Sequence, residues 1–301
     1  MHTGQVENMT FQSVLRSGTF DQRTIIVTGG GSGIGRCISH ELASLGALVI
    51  LFGRTEEKLR TVQKEIQQDG GRCEYRCGDI RDTDLVSQNI ASCVEEYGPV
   101  HGLVNNAGGQ FPANLEDISA NGFLAVLKSN LLGGFLMSKE TFRHSMQQHG
   151  GAIVNITADY FGGMPRMGHS GAARAGMENL SQTAAVEWAK SGVRVNSVAP
   201  GYIASSGMDS YEDPEMIARI PKFGQSIPWG RMGTESEVSA AVCFLLSDGA
   251  SYINGATLRI DGGSSLCLNS PLTDLQTATQ HNEPFDGFHL SETPNILKTA
   301  K

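Results

Sequence analysis

Short apolar segments alternate with segments of helical periodicity between residues 24 and 261. Apolar runs of about four to eight residues, bounded by glycines and turn residues, are typical of buried strands, whereas apolar positions three and four apart indicate helices. The pattern predicts strands at residues 24–28, 47–52, 73–76, 102–105, 153–156, 193–199 and 257–260. It predicts helices at residues 33–45, 55–69, 83–97, 117–147, 170–190 and 235–246.

This alternation predicts an α/β fold, a single Rossmann-type, doubly wound parallel sheet with helices on both faces, because its strands are apolar throughout. No Pro-rich or Gly/Ser-rich linker interrupts it, so residues 23–263 are predicted to form one dinucleotide-binding catalytic domain. Residues 1–22 are then an N-terminal extension, and residues 264–301 a C-terminal tail that either docks on a neighbour or stays loose. Residues 202–231, rich in Pro, Gly and Met, are predicted to be a substrate loop.

Composition narrows the classes of function. A hydrophobic content of 40% and a charged content of 18% fit a sizeable core and exclude a disordered chain. The net charge of −8, without a Lys/Arg cluster, argues against a nucleic-acid partner. The six cysteines lack zinc-ligand spacing, so no metal is expected. No signal core or bilayer-length apolar stretch is present, which favours a cytoplasmic protein without a membrane partner.

A glycine-rich turn joins the first predicted strand to the first predicted helix, with the sequence Thr-Gly-Gly-Gly-Ser-Gly-Ile-Gly at residues 28–35. Glycines let the backbone approach a pyrophosphate, and the N-terminus of the following helix directs unpaired N–H groups at the anion. A tight turn would explain a glycine cluster alone, but its place in a strand–turn–helix unit favours a dinucleotide. The candidate phosphate-binding residues are Gly29, Ser32, Gly33, Ile34 and Gly35.

The end of the second strand bears on the choice between NAD and NADP. A carboxylate there would bind the ribose 2′-hydroxyl, whereas a basic residue accommodates a 2′-phosphate. Arg54 occupies this position, and no carboxylate occurs before Glu56. Arg54 is therefore the candidate 2′-phosphate ligand, with help from Arg36, and NADPH is the expected cofactor. The alternative is that Arg54 is a solvated loop charge.

Further motifs accompany this turn: Asp79, Asn-Asn-Ala-Gly at residues 105–108, Asn130, and Pro-Gly at residues 200–201. Together they resemble the short-chain dehydrogenase/reductase family over about residues 23–263. The resemblance implies that Asp79 and Ile80 flank the adenine. It also implies that Asn106, Ala107 and Gly108 form the floor of the cofactor site, and that the nicotinamide contacts Pro200, Gly201 and Ile203.

The sequence departs from the usual catalytic residues of that family. Ala158 takes the place of the serine, Ser170 that of the tyrosine and Arg174 that of the lysine. A serine hydroxyl is a far weaker acid than a phenol, so Ser170 is expected to donate a hydrogen bond rather than a proton. Arg174 lies one helical turn beyond Ser170 and can hold the ribose hydroxyls of the nicotinamide nucleotide with its planar fork.

This altered site resembles the enoyl-CoA branch of the family, the trans-2-enoyl-CoA and 2,4-dienoyl-CoA reductases. The resemblance implies that Tyr160 corresponds to the catalytic tyrosine of the dienoyl enzymes, Gln110 to an amide-bearing residue and Ser170 to a serine on the catalytic helix. Arg174 agrees better with the trans-2-enoyl enzymes. The leading hypothesis is reduction of the C=C bond of an α,β-unsaturated acyl-CoA by NADPH. Tyr160 would be the first donor to the thioester oxygen, and Asn130 would hold the catalytic helix and a proton-relay water.

Alternatives remain open at this point. Asp159 is a rival general base or a helix cap, and His169 is a minor candidate acid. A second hypothesis is a dehydrogenase of terpenoid or branched alcohols and aldehydes, with Asp159 or Tyr160 as base. A third is an inactive NADPH-binding protein. The family resemblance implies a homotetramer formed through the helices near 117–147 and 170–190, and three methionines are predicted to line the substrate cleft: Met164, Met167 and Met208.

Overall fold

The structure, a computed structural model, describes residues 10–266 and 277–298. Within these ranges seven strands form one parallel sheet, in the order β3-β2-β1-β4-β5-β6-β7. The strands are β1 Thr24–Thr28, β2 Leu48–Gly53, β3 Arg72–Cys77, β4 Val100–Asn105, β5 Gly151–Ile156, β6 Val193–Pro200 and β7 Thr257–Ile260. The predicted fold class is confirmed, and each strand begins and ends within about two residues of its predicted bounds.

The order of the strands reverses between β1 and β4. From β1 the chain proceeds outward through β2 to β3, and then returns to pair β4 with the other side of β1. The connections that leave the carboxyl ends of β1 and β4 therefore run to opposite faces of the sheet, which opens a crevice at that edge. The glycine turn and the Asn-Asn-Ala-Gly motif follow these two strands and so meet at the crevice.

Helices cover both faces of the sheet. The helices are α1 Gly33–Ser44, α2 Glu56–Gln68, α3 Thr83–Tyr97, α4 Ala120–Leu127, α5 Gly133–Thr141, α6 Gln147–His149, α7 Gly168–Glu187, α8 Pro214–Arg219, α9 Glu235–Leu246 and α10 Asn295–Lys298. Successive β1 residues enter different cores: Ile25 and Val27 pack in the cluster that includes α1 and α9, and Ile26 packs in the cluster beneath α3 and α5. This alternation explains why the strand is apolar throughout.

The helix predicted at residues 117–147 differs from the structure. It begins at Ala120, where the Ser119 hydroxyl accepts from the Gly122 N–H, because residues 115–117 form a separate 3-10 turn. Two π-helical stretches, Lys128–Leu132 and Phe142–Met146, separate α4, α5 and α6. A π-turn inserts one residue without breaking the helix, so the apolar periodicity across residues 117–147 did not reveal it.

Residues 202–231, here termed the substrate-loop segment, contain α8 and 3-10 turns at Ser206–Ser210 and Ile220–Ser226. Residues 277–298 pack against residues 10–266 of their own chain, so this part of the predicted tail is not loose. Phe288 is buried with Phe11 and Cys37, and the Asp209 carboxylate accepts from two backbone N–H groups at the start of α10. No helix within residues 10–266 and 277–298 is long and apolar enough to cross a membrane.

Candidate active site

A cavity of about 1250 Å³ opens at the carboxyl ends of the central strands, beneath the substrate-loop segment. This volume exceeds the range of about 300–1,000 Å³ typical of a single drug-sized ligand, so it has room for a dinucleotide and a substrate. Gln110 and the following members of the predicted cofactor set line it: Gly29, Ser32, Gly33, Ile34, Arg54, Asp79, Ile80, Asn106, Ala107, Gly108, Arg174, Pro200, Gly201 and Ile203.

The glycine turn brings backbone N–H groups to one wall of this cavity. Gly29 and Gly33 have φ angles of +66° and +56°, in the left-handed region that favours glycine. Gly35 does not line the cavity. Instead, a Cβ atom on Gly35 would lie 2.3 Å from the Gly29 carbonyl oxygen, so this glycine lets α1 begin directly against the turn. The N-terminus of α1 therefore faces the space where an anion would bind.

Thr28 links the turn to the Asn-Asn-Ala-Gly motif. Its hydroxyl oxygen accepts from the backbone N–H groups of Asn106 and Ala107, both at 3.0 Å. The Asn106 amide in turn donates to the Thr28 carbonyl oxygen at 3.0 Å. The phosphate turn and the floor of the cavity are thus one hydrogen-bonded unit, and Thr28 is a positioning residue that the sequence motifs did not single out.

Unpaired positive charge lies at the end of the cavity next to β2. Arg54 and Lys58 both line the cavity, and neither forms an ion pair with any described residue. Asp79, by contrast, is held by Arg81, whose guanidinium lies 2.5 Å from the carboxylate. The hydrogen bonds from Arg81 lower the pKa of Asp79, and the charge of Arg54 contributes. Lys58, in the first turn of α2, was not among the residues predicted from the sequence.

Arg36 does not join Arg54. Its guanidinium forms two hydrogen bonds with the Glu65 carboxylate, at 2.8 and 2.9 Å, and lies over the ring of Phe288. Arg36 is also absent from the cavity lining. The structure therefore corrects the expectation that Arg36 helps to bind a 2′-phosphate, because an ion pair between α1 and α2 engages its charge.

Arg174, on α7, carries a buried N–H group that points to a ligand. One terminal nitrogen donates to the Ile156 carbonyl oxygen at 2.6 Å, whereas the buried Nε has no hydrogen-bond partner. Burial lowers the pKa of Arg174 to about 10. A Cβ atom on Gly108 would lie 3.1 Å from Nη2 of Arg174, so glycine keeps the space beside the guanidinium open. An unsatisfied buried donor on the cavity wall fits a hydroxyl-bearing ligand such as a nucleotide ribose.

Asn130 lies in the first π-helical stretch, and its side chain is buried. Its amide oxygen accepts from the Gly109 N–H at 2.8 Å, and its amide nitrogen donates to the Gly109 carbonyl oxygen at 3.0 Å. Asn130 does not line the cavity. The structure thus shows the Asn130 side chain holding the loop after β4 through Gly109.

Three side chains from three elements form a hydrogen-bonded row at the cavity. The Ser170 hydroxyl, fully buried on α7, donates to the Gln110 amide oxygen at 2.6 Å. The Gln110 amide nitrogen donates to the hydroxyl oxygen of Tyr211, in the substrate-loop segment, at 3.1 Å. Gln110 and Tyr211 line the cavity, whereas Ser170 lies behind them. Sequence analysis did not identify Tyr211, because the segment has no periodic pattern that places it.

Tyr160, the predicted first donor, is not among the residues that line the cavity. Its hydroxyl faces the Glu178 carboxylate on α7, and its ring stacks on Phe161. Burial, together with the Glu178 carboxylate, raises the pKa of Tyr160 to about 12, against the opposing charge of Arg259. A phenol with a raised pKa is a poorer proton donor at neutral pH, but it still donates a hydrogen bond.

The other candidate residues, Asp159, His169 and the methionines, lie in or near the cavity. Asp159 lines the cavity and accepts from the Ser264 hydroxyl at 2.7 Å, and it does not cap a helix. His169 is fully buried against the edge of Phe111, outside the lining. In the described part of the chain no group of three or more His, Cys, Asp or Glu side chains could hold a metal ion. The cavity has the predicted apolar wall, formed by Met164, Met167, Met208 and a fourth methionine, Met216.

The amino-acid sequence was compared with protein-family models and with known proteins. The family model described as enoyl-(acyl carrier protein) reductase matches residues 29–265. The chain belongs to the short-chain dehydrogenase/reductase family. Membership implies a nicotinamide cofactor, which fits the glycine turn and the unsatisfied guanidinium N–H of Arg174.

Several members of this family are similar along most of the chain. A Bacillus subtilis relative named probable 2,4-dienoyl-CoA reductase is 39% identical over 251 residues, which cover 82% of this chain and 98% of the relative. The peroxisomal 2,4-dienoyl-CoA reductase of Mus musculus is 34% identical, with 84% and 87% covered. Among solved structures, the citronellol catabolism dehydrogenase AtuB of Pseudomonas aeruginosa PAO1 is 52% identical, with 85% of this chain and 100% of that chain covered and a TM-score of 0.77.

Proposed function

We propose that this short-chain dehydrogenase/reductase reduces the C=C bond of an α,β-unsaturated acyl-CoA, of the trans-2-enoyl or 2,4-dienoyl type, with NADPH. The observation that carries the proposal is the Ser170–Gln110 hydrogen bond of 2.6 Å. It fixes the Gln110 amide with its oxygen toward α7 and its N–H groups toward the cavity. The site therefore offers a neutral hydrogen-bond donor where the family usually supplies a phenol, and the dienoyl-CoA reductases among its relatives act on thioesters.

A neutral donor suits this reaction. A bound reduced nicotinamide would supply a hydride to the β-carbon of a 2-enoyl substrate, or to the δ-carbon of a 2,4-dienoyl substrate, and in either case negative charge develops on the thioester oxygen. Donors aimed at that oxygen stabilise the charge as it develops, and this is commonly the largest catalytic contribution. No proton need reach the oxygen, because the α-carbon is the atom finally protonated. The Gln110 amide therefore supplies what the reaction needs without a group of low pKa.

Arg54 and Lys58 support NADPH over NADH. Both cations line the cavity at the carboxyl end of β2 and lack a carboxylate partner among the described residues. A 2′-phosphate would satisfy them, whereas a 2′-hydroxyl would not. Arg174 would hold the ribose of the nicotinamide nucleotide, and the turn from Gly29 to Ile34 the pyrophosphate. Asp79 and Ile80 would flank the adenine, and the nicotinamide would lie near Pro200, Gly201 and Ile203.

A homotetramer is part of the proposal. Large apolar side chains are exposed on the two helices that the family uses for assembly, among them Leu124 on α4 and Val186 on α7, which are 49% and 78% exposed. Exposed apolar side chains on these two helices support an interface between subunits there.

A direct assay tests the reaction. NADPH oxidation is followed at 340 nm with crotonyl-CoA and 2,4-hexadienoyl-CoA, and NADP+ reduction with citronellol, the alcohol named for AtuB. Turnover of a thioester, with none of the saturated control butyryl-CoA, supports the proposal. The second candidate function, oxidation of a terpenoid alcohol, is favoured by the 52% identity to AtuB. Turnover of citronellol without either thioester would replace the first proposal with the second.

Glu235, at the start of α9, is expected to make cofactor binding depend on pH. Burial raises the pKa of Glu235 to about 7, partly offset by the charge of Arg36. Its carboxylate lies 3.8 Å from the position of a Cβ atom on Gly33, behind the phosphate turn. Because the folded pKa is raised, the carboxyl is neutral below pH 7 and becomes negative as pH rises through that value. The added charge then opposes the cofactor phosphates.

We expect Glu235→Gln to leave NADPH affinity unchanged near pH 6 and to strengthen it about fivefold at pH 8, equivalent to about 1 kcal/mol of charge repulsion. Dissociation constants are measured by calorimetry for the wild type and the variant. In their ratio the effect of pH on NADPH itself cancels. Exposed Glu187, at the end of α7, supplies the control Glu187→Gln, whose ratio should stay near one. A ratio that does not change between the two pH values for Glu235→Gln would contradict the assignment.

A further inference from the structure

Tyr211 ends the hydrogen-bonded row that starts at Ser170. The Ser170 hydroxyl is the donor to Gln110, and the Gln110 amide is the donor to the Tyr211 oxygen, at 2.6 and 3.1 Å. Gln110 and Tyr211 each accept a hydrogen bond from the preceding member of the row, and each keeps a donor hydrogen without a described acceptor. Hydrogen bonds aligned head to tail in this way polarise one another, which strengthens the last donor.

The free donor of this row lies on the cavity side. The Tyr211 hydroxyl accepts from Gln110, and no described residue accepts its own proton. Gln110 also has a second amide hydrogen without a described acceptor. Both residues line the cavity, so a tyrosine O–H and an amide N–H are available together on one wall. Two convergent neutral donors are the arrangement that stabilises an oxyanion in acyl chemistry.

The other tyrosines near the site do not share this geometry. Tyr160 lies outside the lining with its hydroxyl at Glu178. Tyr202 lines the cavity, but its ring lies against Phe223, 4.2 Å between centroids, and it makes no hydrogen bond to Gln110. Among the described residues, Tyr211 is therefore the phenol that the row of donors selects.

We infer that Tyr211 is a catalytic residue, which donates a hydrogen bond to the substrate oxygen where negative charge develops. The inference rests on the proposed function in taking that oxygen to be the thioester oxygen. No covalent bond forms or breaks at Tyr211: the electron pair of the C=C bond moves to the oxygen, and the Tyr211 hydroxyl and the Gln110 amide stabilise it until solvent protonates the α-carbon. Because Tyr211 belongs to the substrate-loop segment, the site is complete only when that segment covers the cavity.

Tyr211→Phe tests this role, since it removes the hydroxyl and retains the ring. With the thioester that the wild type reduces, we expect kcat to fall about 10- to 100-fold while KM and NADPH affinity change less than about threefold. The matched control is Tyr252→Phe, because Tyr252 is fully exposed on a distant loop, and it should leave kcat unchanged. Ser170→Ala should cost less in the Tyr211→Phe background than in the wild type, since both act through one row.

The outcomes separate the two proposals. A Tyr211→Phe enzyme with wild-type kcat overturns the inference alone, and so does a loss seen only in KM or NADPH affinity, which would show that the ring merely closes the segment. If the wild type oxidises citronellol but reduces no thioester, the proposed function fails. In that case, a lower kcat of Tyr211→Phe with citronellol, and an unchanged kcat of Tyr252→Phe, would still support the Tyr211 hydroxyl as a donor to the reacting oxygen. A wild type that turns over neither class overturns both.

Discussion

Gly35→Ala is expected to weaken NADPH binding at least about 100-fold, although Gly35 does not line the cavity. The added Cβ would lie 2.3 Å from the Gly29 carbonyl oxygen and 2.5 Å from the Asn106 amide nitrogen. Neither neighbour can yield cheaply, because one is backbone and the other joins the turn to the floor of the site. The start of α1 must therefore move away from the turn, and the N–H groups that face the pyrophosphate move with it.

Calorimetric titration with NADPH measures this loss, and thermal unfolding reports whether the chain still folds. Overpacking of this kind costs about 1–3 kcal/mol, so a lowered Tm with a cooperative transition is expected. Gly249→Ala is a matched control, because its Cβ would meet only the Ser247 hydroxyl at 3.3 Å and the ring of Phe244 at 3.4 Å. A Gly35→Ala protein that binds NADPH as the wild type does would show that the turn adapts and that Gly35 is not required.

The sheet and most helices could be predicted from the sequence because their periodicity is a direct consequence of burial. Ile25, Ile26 and Val27 had to be apolar together, since successive residues of a strand covered on both faces enter different cores. The glycine turn could be located for a related reason. A parallel sheet brings the carboxyl ends of its strands to one edge, so chain order alone placed the turn next to Asn106 and Ala107.

Side-chain direction in the non-repeating segments could not be predicted in this way. Tyr160 follows β5 in a turn with no fixed period, and the structure directs its hydroxyl to Glu178. Arg36 has a suitable charge near the turn, but Glu65 on a neighbouring helix pairs with it. Tyr211 reaches Gln110 across a separation of 101 residues. Each of these placements depends on a tertiary contact that neither composition nor spacing encodes.

The double variant Arg54→Ala/Lys58→Ala is expected to lower NADPH affinity about 100-fold and to leave NADH affinity within about twofold. Each cation would lose a charge-assisted hydrogen bond to the 2′-phosphate, worth about 1.5 kcal/mol or more, and NADH has no group at that position. Arg60→Ala is the matched control, because Arg60 lies on α2, as Lys58 does, with its charge paired to Glu56 at 2.8 Å, and this change should alter neither affinity. The test is to measure dissociation constants for both nucleotides at low and high salt. The difference in affinity between NADPH and NADH should decrease with salt in the wild type and be absent in the double variant. Equal losses for the two nucleotides would mean that Arg54 and Lys58 support α2 rather than the phosphate, and the preference for NADPH would then have no structural basis at this end of the cavity.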